Sequence, residues 1–157
     1  MKSNDEIIKL AIKTISIEAE AVLNLKKNIS ADFASCVKLI YKAKGRVVIT
    51  GIGKSAIIAN KIVATMNSTG TPAIFMHAAD AIHGDLGNIQ TEDVIICISK
   101  SGNTPEIKVL IPLLKNGKNK LIALVGNADS YWAQQADFVL DCTVNEEACP
   151  NNLAPTS

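Results

Sequence analysis

Apolar residues recur along this chain in two textures. In the first, Ile7, Ile8, Ala11, Ile12, Ile15, Val22 and Leu25 fall at the three-and-four spacing of one amphipathic helix face. Ser3 and Glu6 precede that run as S-x-x-E, a capping box that starts a helix. A second helix is expected from near Ser30, with Phe33, Val37 and Ile40 on its apolar face. Gly45 offers it a left-handed stop.

The second texture begins at residue 46. Short, continuous, β-branched runs occupy residues 46–50, 73–76, 94–98, 121–125 and 138–141. Helical segments are expected between them at residues 55–69, 104–116 and 130–136. Continuous apolar strands alternating with helices predict a parallel sheet covered on both faces. The expectation is an α/β fold, a three-layer α/β/α sandwich with a five-stranded parallel sheet. It should form a single domain over residues 1–157, with a helical N-terminal part at residues 3–44. Residues 145–157 are polar and proline-containing, an irregular tail.

Composition narrows the function. Sixteen basic residues against 15 acidic ones, with 4% aromatics, leave no basic block or base-stacking surface. Nucleic acid and anionic membrane are therefore poor partners. No run reaches membrane-spanning length, and charges interrupt the N-terminal apolar stretch where a signal peptide would need continuity. Cys36, Cys97, Cys142 and Cys149 form no C-x-x-C pair, which suits reduced thiols in the cytoplasm.

In an open parallel sheet, ligands bind beyond the C-terminal strand ends. The first such loop is Thr50-Gly51-Ile52-Gly53-Lys54-Ser55, where glycines let the backbone approach an anion at a helix N-terminus. A triphosphate-binding loop would need glycine at position 48, and Val48 stands there. Gly51-x-Gly53-x-x-Ala56 fits the dinucleotide fingerprint, but the second strand ends at Phe75-Met76-His77, without the required acid. A tight strand-to-helix turn explains these glycines but not Lys54.

The third loop, Ser99-Lys100-Ser101-Gly102-Asn103-Thr104-Pro105-Glu106, opens a helix with Thr104 at N-cap and Pro105 at N1. Capping accounts for Thr104 and leaves Ser99 and Ser101 unused. Three hydroxyls, a glycine and a helix N-terminus make a phosphate cradle. Glu106 either stabilises the first helical turn or sits at the rim of that cradle. His77 and His83, the two histidines of the chain, both follow the second strand, in a stretch that also holds Asp80 and Asp85. Their spacing is no standard zinc pattern, and no metal site is expected.

Five strings then occur in order: Gly51-Ile-Gly-Lys-Ser55, Ser68-Thr-Gly-Thr-Pro72, His83-Gly-Asp-Leu-Gly87, Ser99-x-Ser-Gly-x-Thr104, and Glu147-Ala-Cys-Pro150 with Leu153-Ala-Pro-Thr-Ser157. Together they resemble the sugar isomerase (SIS) domain of D-arabinose 5-phosphate isomerases, from about the first helix to the last residue. The serine-rich loop marks SIS domains generally, whereas H-G-D-L-G and E-A-C-P with L-A-P-T-S mark this subgroup. The resemblance implies a flavodoxin/Rossmann-like fold and interconversion of D-ribulose 5-phosphate and D-arabinose 5-phosphate through an enediol. That reaction is the first step towards Kdo, the acidic sugar of lipopolysaccharide and some capsules. It implies no nucleotide, metal or other cofactor, a small sugar phosphate as ligand, and a homotetramer.

By the same resemblance Lys54, Glu106 and Glu147 match positions critical for activity. Ser99, Ser101, Asn103 and Thr104 match the phosphate loop, beside Gly51, Gly53 and Ser55. Gly70, Thr71, His77 and His83 match positions near the sugar. The chemistry suits these residue types. A carboxylate can move the C1–C2 proton, and a lysine or histidine can stabilise the enediolate oxygen. Glu147 and Glu106 both remain open as the base, with Lys54 and His83 on the oxygens. The family continues past L-A-P-T-S with a serine/threonine run, a long helix, a further critical histidine and, in typical members, two CBS modules. The chain is thus expected to be cut short. A binding-only SIS domain, another sugar-phosphate isomerase and a dinucleotide oxidoreductase are the competing readings.

Overall fold

The computed structural model describes residues 2–151 and 154–156. Five strands form one parallel sheet: β1 Val47–Gly51, β2 Ala73–His77, β3 Val94–Ser99, β4 Lys120–Val125 and β5 Phe138–Asp141. Their order is β2-β1-β3-β4-β5, the flavodoxin-like doubly wound arrangement. The chain reverses its direction of growth between β1 and β3, where a crevice opens beyond the strand ends.

Alternation along the strands sends side chains into two cores, one on each side of the sheet. Val48, Ile95, Cys97, Leu121, Ala123 and Val125 pack beneath α4 (Ala78–Ile82), α5 (Pro105–Lys115) and α6 (Tyr131–Gln135). Val47, Ile49, Val94, Ile96, Ile98 and Ile122 pack on the other side, against α2 (Ala31–Lys42) and α3 (Lys54–Ser68). The α/β/α sandwich with five parallel strands is therefore present as the periodicity requires. Burial pushes the Cys97 thiol up to about 12, and burial followed by the nearby Asp32 charge pushes Cys36 up to about 11, so both behave as small core residues.

The first helix, α1 (Asn4–Asn24), begins at the expected capping box. The Ser3 hydroxyl accepts from the Glu6 N–H, and the Glu6 carboxylate accepts from the Ser3 N–H at 2.7 Å. A turn of 3₁₀ helix at Leu25–Asn28 follows before α2 starts at the Ser30 cap. No residue of α1 is buried; Ile8, Ile12 and Ile15 are 56%, 60% and 66% exposed.

Two expectations about helix ends need correction. Gly45 does not stop α2, which ends at an extended Ala43. A Cβ on Gly45 would lie 2.5 Å from the Glu92 carbonyl, so the glycine permits close approach of two backbones. Beside it Asp93, fully buried, accepts from the Arg46 backbone and guanidinium and from the Gln90 N–H. Burial works to raise this carboxyl, but the Arg46 and backbone hydrogen bonds outweigh it and hold it below 3.8. The second correction concerns Thr104. It stands at the N-cap of α5, yet its hydroxyl makes no capping hydrogen bond.

Candidate functional site

The first and third loops leave neighbouring strands at the switch point. Gly51 pairs with His77 on one side and Ile98 on the other, so the turn at residues 51–53 lies directly beside Ser99. Gly51 is confined, because a Cβ there would meet the Ser55 backbone at 3.1 Å and the Ile98 carbonyl at 3.2 Å. Gly53 adopts φ +58° and heads α3 with no side-chain cap. Helix α5 likewise lacks a side-chain cap. Two open helix N-termini thus face the same end of the sheet, each with N–H groups and a positive dipole end.

The third loop is built by its own hydroxyls. Buried Ser99 accepts the Gly102 N–H at 3.1 Å, and exposed Ser101 accepts the Asn103 N–H at 3.3 Å. Each hydroxyl keeps its own proton to donate. The Thr104 hydroxyl is buried without a hydrogen-bond partner, as is that of Thr50 at the end of β1. By strand alternation Thr50 faces the same core as Val48, on the α5 side.

Asn103 ties the loop to α6. Its side-chain carbonyl accepts the Tyr131 N–H at 3.1 Å, and its amide donates to the Ser101 carbonyl at 3.0 Å. Gly102, at φ +62°, gives its carbonyl to the Trp132 N–H. Trp132 is fully buried and donates its indole N–H to the Cys97 carbonyl at 2.9 Å. The loop geometry is therefore held from below by α6.

A cleft of about 440 Å³ opens beside these loops, lined in part by Lys54, Ser55, Ile98, Lys100, Leu124 and Pro155. Lys54 is exposed and makes no ion pair among the described residues. Lys100 crosses to Glu147, with Nζ 2.6 Å from Oε1. The other oxygen of Glu147 accepts the Thr156 N–H at 2.7 Å. Glu106 is half-buried in the first turn of α5. The structure thus gathers Gly51, Gly53, Lys54, Ser55, Ser99, Ser101, Asn103, Thr104 and Glu106 at one strand edge, with Glu147 joined through Lys100.

The remaining candidates divide between the two ends of the sheet. His77 ends β2 at the same edge, 3.9 Å from the Asp80 carboxylate and edge-on to Phe75. His83 is exposed at the C-terminal end of α4. Gly70 and Thr71 lie before β2, at the opposite edge of the sheet, about 16 Å away along a five-residue strand. There they close α3. Gly70, at φ +87°, donates to the Asn67 carbonyl, and Thr71 donates to the Met66 carbonyl, a Schellman motif. A parallel sheet puts every helix-to-strand loop on that far side.

Two residues at this edge are not singled out by the sequence. Lys100 sits inside the serine-rich string as an unassigned position, and a cation between two loop serines is the available signal. Thr50 belongs to the first apolar run, and a hydroxyl ending such a run is the signal there. Leu153 and Ser157 of the L-A-P-T-S string lie outside the described residues. No group of three His, Cys, Asp or Glu among the described residues could hold a metal ion, and no described helix is long and apolar enough to cross a membrane.

Comparison with known proteins gives this geometry a context. The SIS domain model matches residues 39–157. Across 150 residues the chain is 49% identical to a probable arabinose 5-phosphate isomerase of Haemophilus influenzae, covering 96% of this chain and 44% of that protein. It is 46% identical over 157 residues to arabinose 5-phosphate isomerase KdsD of Pseudomonas aeruginosa, covering 100% of this chain and 48% of KdsD. The chain spans about half the length of the curated relatives it matches. Among solved structures, Escherichia coli CFT073 c3406 in complex with arabinose 5-phosphate superposes with a TM-score of 0.93 at 39% identity, covering 99% of this chain and 82% of that one.

Proposed function

Because this chain belongs to the SIS domain family, we propose that it carries the isomerase site of a D-arabinose 5-phosphate isomerase. The reaction interconverts D-arabinose 5-phosphate and D-ribulose 5-phosphate through an enediol, as the first step towards Kdo in the cytoplasm. The observation that carries the reading is the third loop, with three hydroxyls before an uncapped α5 and Lys54 and Glu147 at the same strand edge. Names of relatives at 46–49% identity support the same substrate.

In this reading Ser99, Ser101, Thr104 and the first N–H groups of α5 take the phosphate, beside the turn of Gly51, Gly53 and Ser55. Asn103 holds that loop. A carboxylate removes the C2 proton of the open-chain aldose, the electron pair forms the C1–C2 double bond as the C1 oxygen takes up a proton, and the proton is returned to C1 as the C2 hydroxyl loses its own to give the ketose. Glu147 or Glu106 is that base. Lys54 and His83 stabilise the enediol oxygens or assist ring opening, with His77 near the sugar. Gly70 and Thr71 would reach the sugar only from another copy, which accords with a homotetramer. The exposed apolar face of α1 would suit such packing.

The test is turnover of D-arabinose 5-phosphate by the intact protein, with D-arabinose as the control. Conversion of the phosphorylated sugar alone is expected. Glu147→Gln or Glu106→Gln, whichever removes the base, should lower kcat by about 10²-fold or more. Tight binding of the sugar phosphate without conversion would instead mark a binding-only domain.

A further inference from the structure

Lys100 is a cation within the proposed phosphate loop whose ammonium is engaged outside it. Its neighbours Ser99 and Ser101 use their hydroxyls to shape the loop, whereas its own side chain leaves the loop and crosses to Glu147. We infer that Lys100 is a positioning residue, which fixes the Glu147 carboxylate relative to the phosphate loop. The inference rests on the proposed isomerase reading and, of its two candidate carboxylates, on Glu147 as the one that works on the sugar.

Four observations carry it. The contact is short, 2.6 Å from Nζ to Oε1, and the Glu147 side chain is only 12% exposed. The carboxylate lies on the irregular segment after β5, and its second oxygen is held from within that segment by the Thr156 N–H. The path of the lysine is also prepared. A Cβ on Gly126, the residue after β4, would lie 2.7 Å from Lys100 Cδ, and the Gly126 N–H donates to the Lys100 carbonyl at 3.0 Å. Finally, Lys100 lines the same cleft as Lys54 and Pro155, so the anchor spans the site.

The chemistry gives the pair a purpose. A general base must sit within hydrogen-bond reach of the proton it takes, and small displacements are costly. With one oxygen on Lys100 and the other on Thr156, the carboxylate plane is set. Each carboxylate oxygen can accept more than one hydrogen bond, so this anchoring is compatible with work on a substrate. Lys100 is 42% exposed, so solvent screens the pair and its effect on overall stability is small. Its consequence is placement. Because Lys100 belongs to the phosphate loop, the group that holds the substrate's phosphate and the group that works on its carbons share one anchor.

The experiment compares Lys100→Met, Lys100→Arg, Glu147→Gln and the double variant Lys100→Met/Glu147→Gln in the intact protein, with folding checked by circular dichroism. Lys100→Met should lower kcat about tenfold while KM for D-arabinose 5-phosphate moves less than about twofold, since misplacement affects the reacting geometry rather than binding. Lys100→Arg should recover most of the loss. In the Glu147→Gln background, Lys100→Met should cost nothing further. An unchanged kcat, a raised KM with kcat intact, or losses that multiply in the double variant would each overturn the inference. A second readout does not depend on turnover. Cleavage after Glu146 by a glutamyl endopeptidase should accelerate in Lys100→Met and not in Lys100→Arg, and equal rates would remove the anchor. If the unmodified protein converts no sugar phosphate, the isomerase reading fails by itself, and the cleavage rates still decide whether Lys100 anchors the segment.

Discussion

Gly102 carries two constraints at once. Its φ of +62° lies in the region that L side chains disfavour, and a Cβ there would stand 2.0 Å from Ser130 Oγ and 2.5 Å from Ser130 Cβ. Ser130 cannot easily retreat, because it is buried and its hydroxyl caps α6 by accepting the Ala133 N–H. Gly102→Ala should therefore destabilise the fold by about 3 kcal/mol, read as a lowered urea midpoint. The surviving folded protein should bind sugar phosphate more weakly, because the Ser99 and Ser101 hydroxyls depend on this loop shape. The glycine, serines and threonine are legible as one polar strand-to-helix loop from their order alone. The partner that forces the glycine, Ser130, is not, because nothing local connects position 102 to position 130. The same limit applies to Lys100 and Glu147, which lie far apart in sequence and meet only through the fold.

Helix α6 shows what an element can do with five residues. Alone it has too few hydrogen bonds to persist. It is held by one buried tryptophan, whose indole N–H reaches the Cys97 carbonyl, and it presents the N–H groups of Tyr131 and Trp132 to the serine-rich loop. Trp132→Ala should cost about 4 kcal/mol by thermal or urea unfolding, the usual range for emptying a large aromatic site. At a temperature where the variant is still folded, KM for the sugar phosphate should rise, because the loop loses its lower support. The long elements are readable in advance because their periodicity is strong. All five strands and four of the six α-helices fall within a few residues of their expected bounds, and α6 falls where the short third segment is expected. The short helix Ala78–Ile82 and the 3₁₀ turn Asp85–Asn88 are not readable, since such short segments hold too little pattern to separate helix from loop.

At the scale of the whole molecule, the parallel sheet sorts the candidate residues. Strand-to-helix loops collect Lys54, the serines and Glu106 at the crevice between β1 and β3, while Gly70 and Thr71 end on the far side. Sequence order already implies that separation, since residues 70 and 71 fall between an expected helix and an expected strand of a parallel sheet, whereas the resemblance that sets them near the sugar carries no information about the end of the sheet they occupy. The unburied apolar face of α1 is a property of the assembled chain, since the same periodicity would describe a helix packed on its own sheet. In the proposed reading this end of the sheet performs proton transfer between C1 and C2 of a bound sugar phosphate. Incubation of the intact protein with D-arabinose 5-phosphate in D2O, followed by proton NMR, tests it most directly. Loss of the C2 proton signal together with the appearance of D-ribulose 5-phosphate is expected. A bound sugar phosphate whose C2 proton stays in place, with no ketose formed, would contradict it.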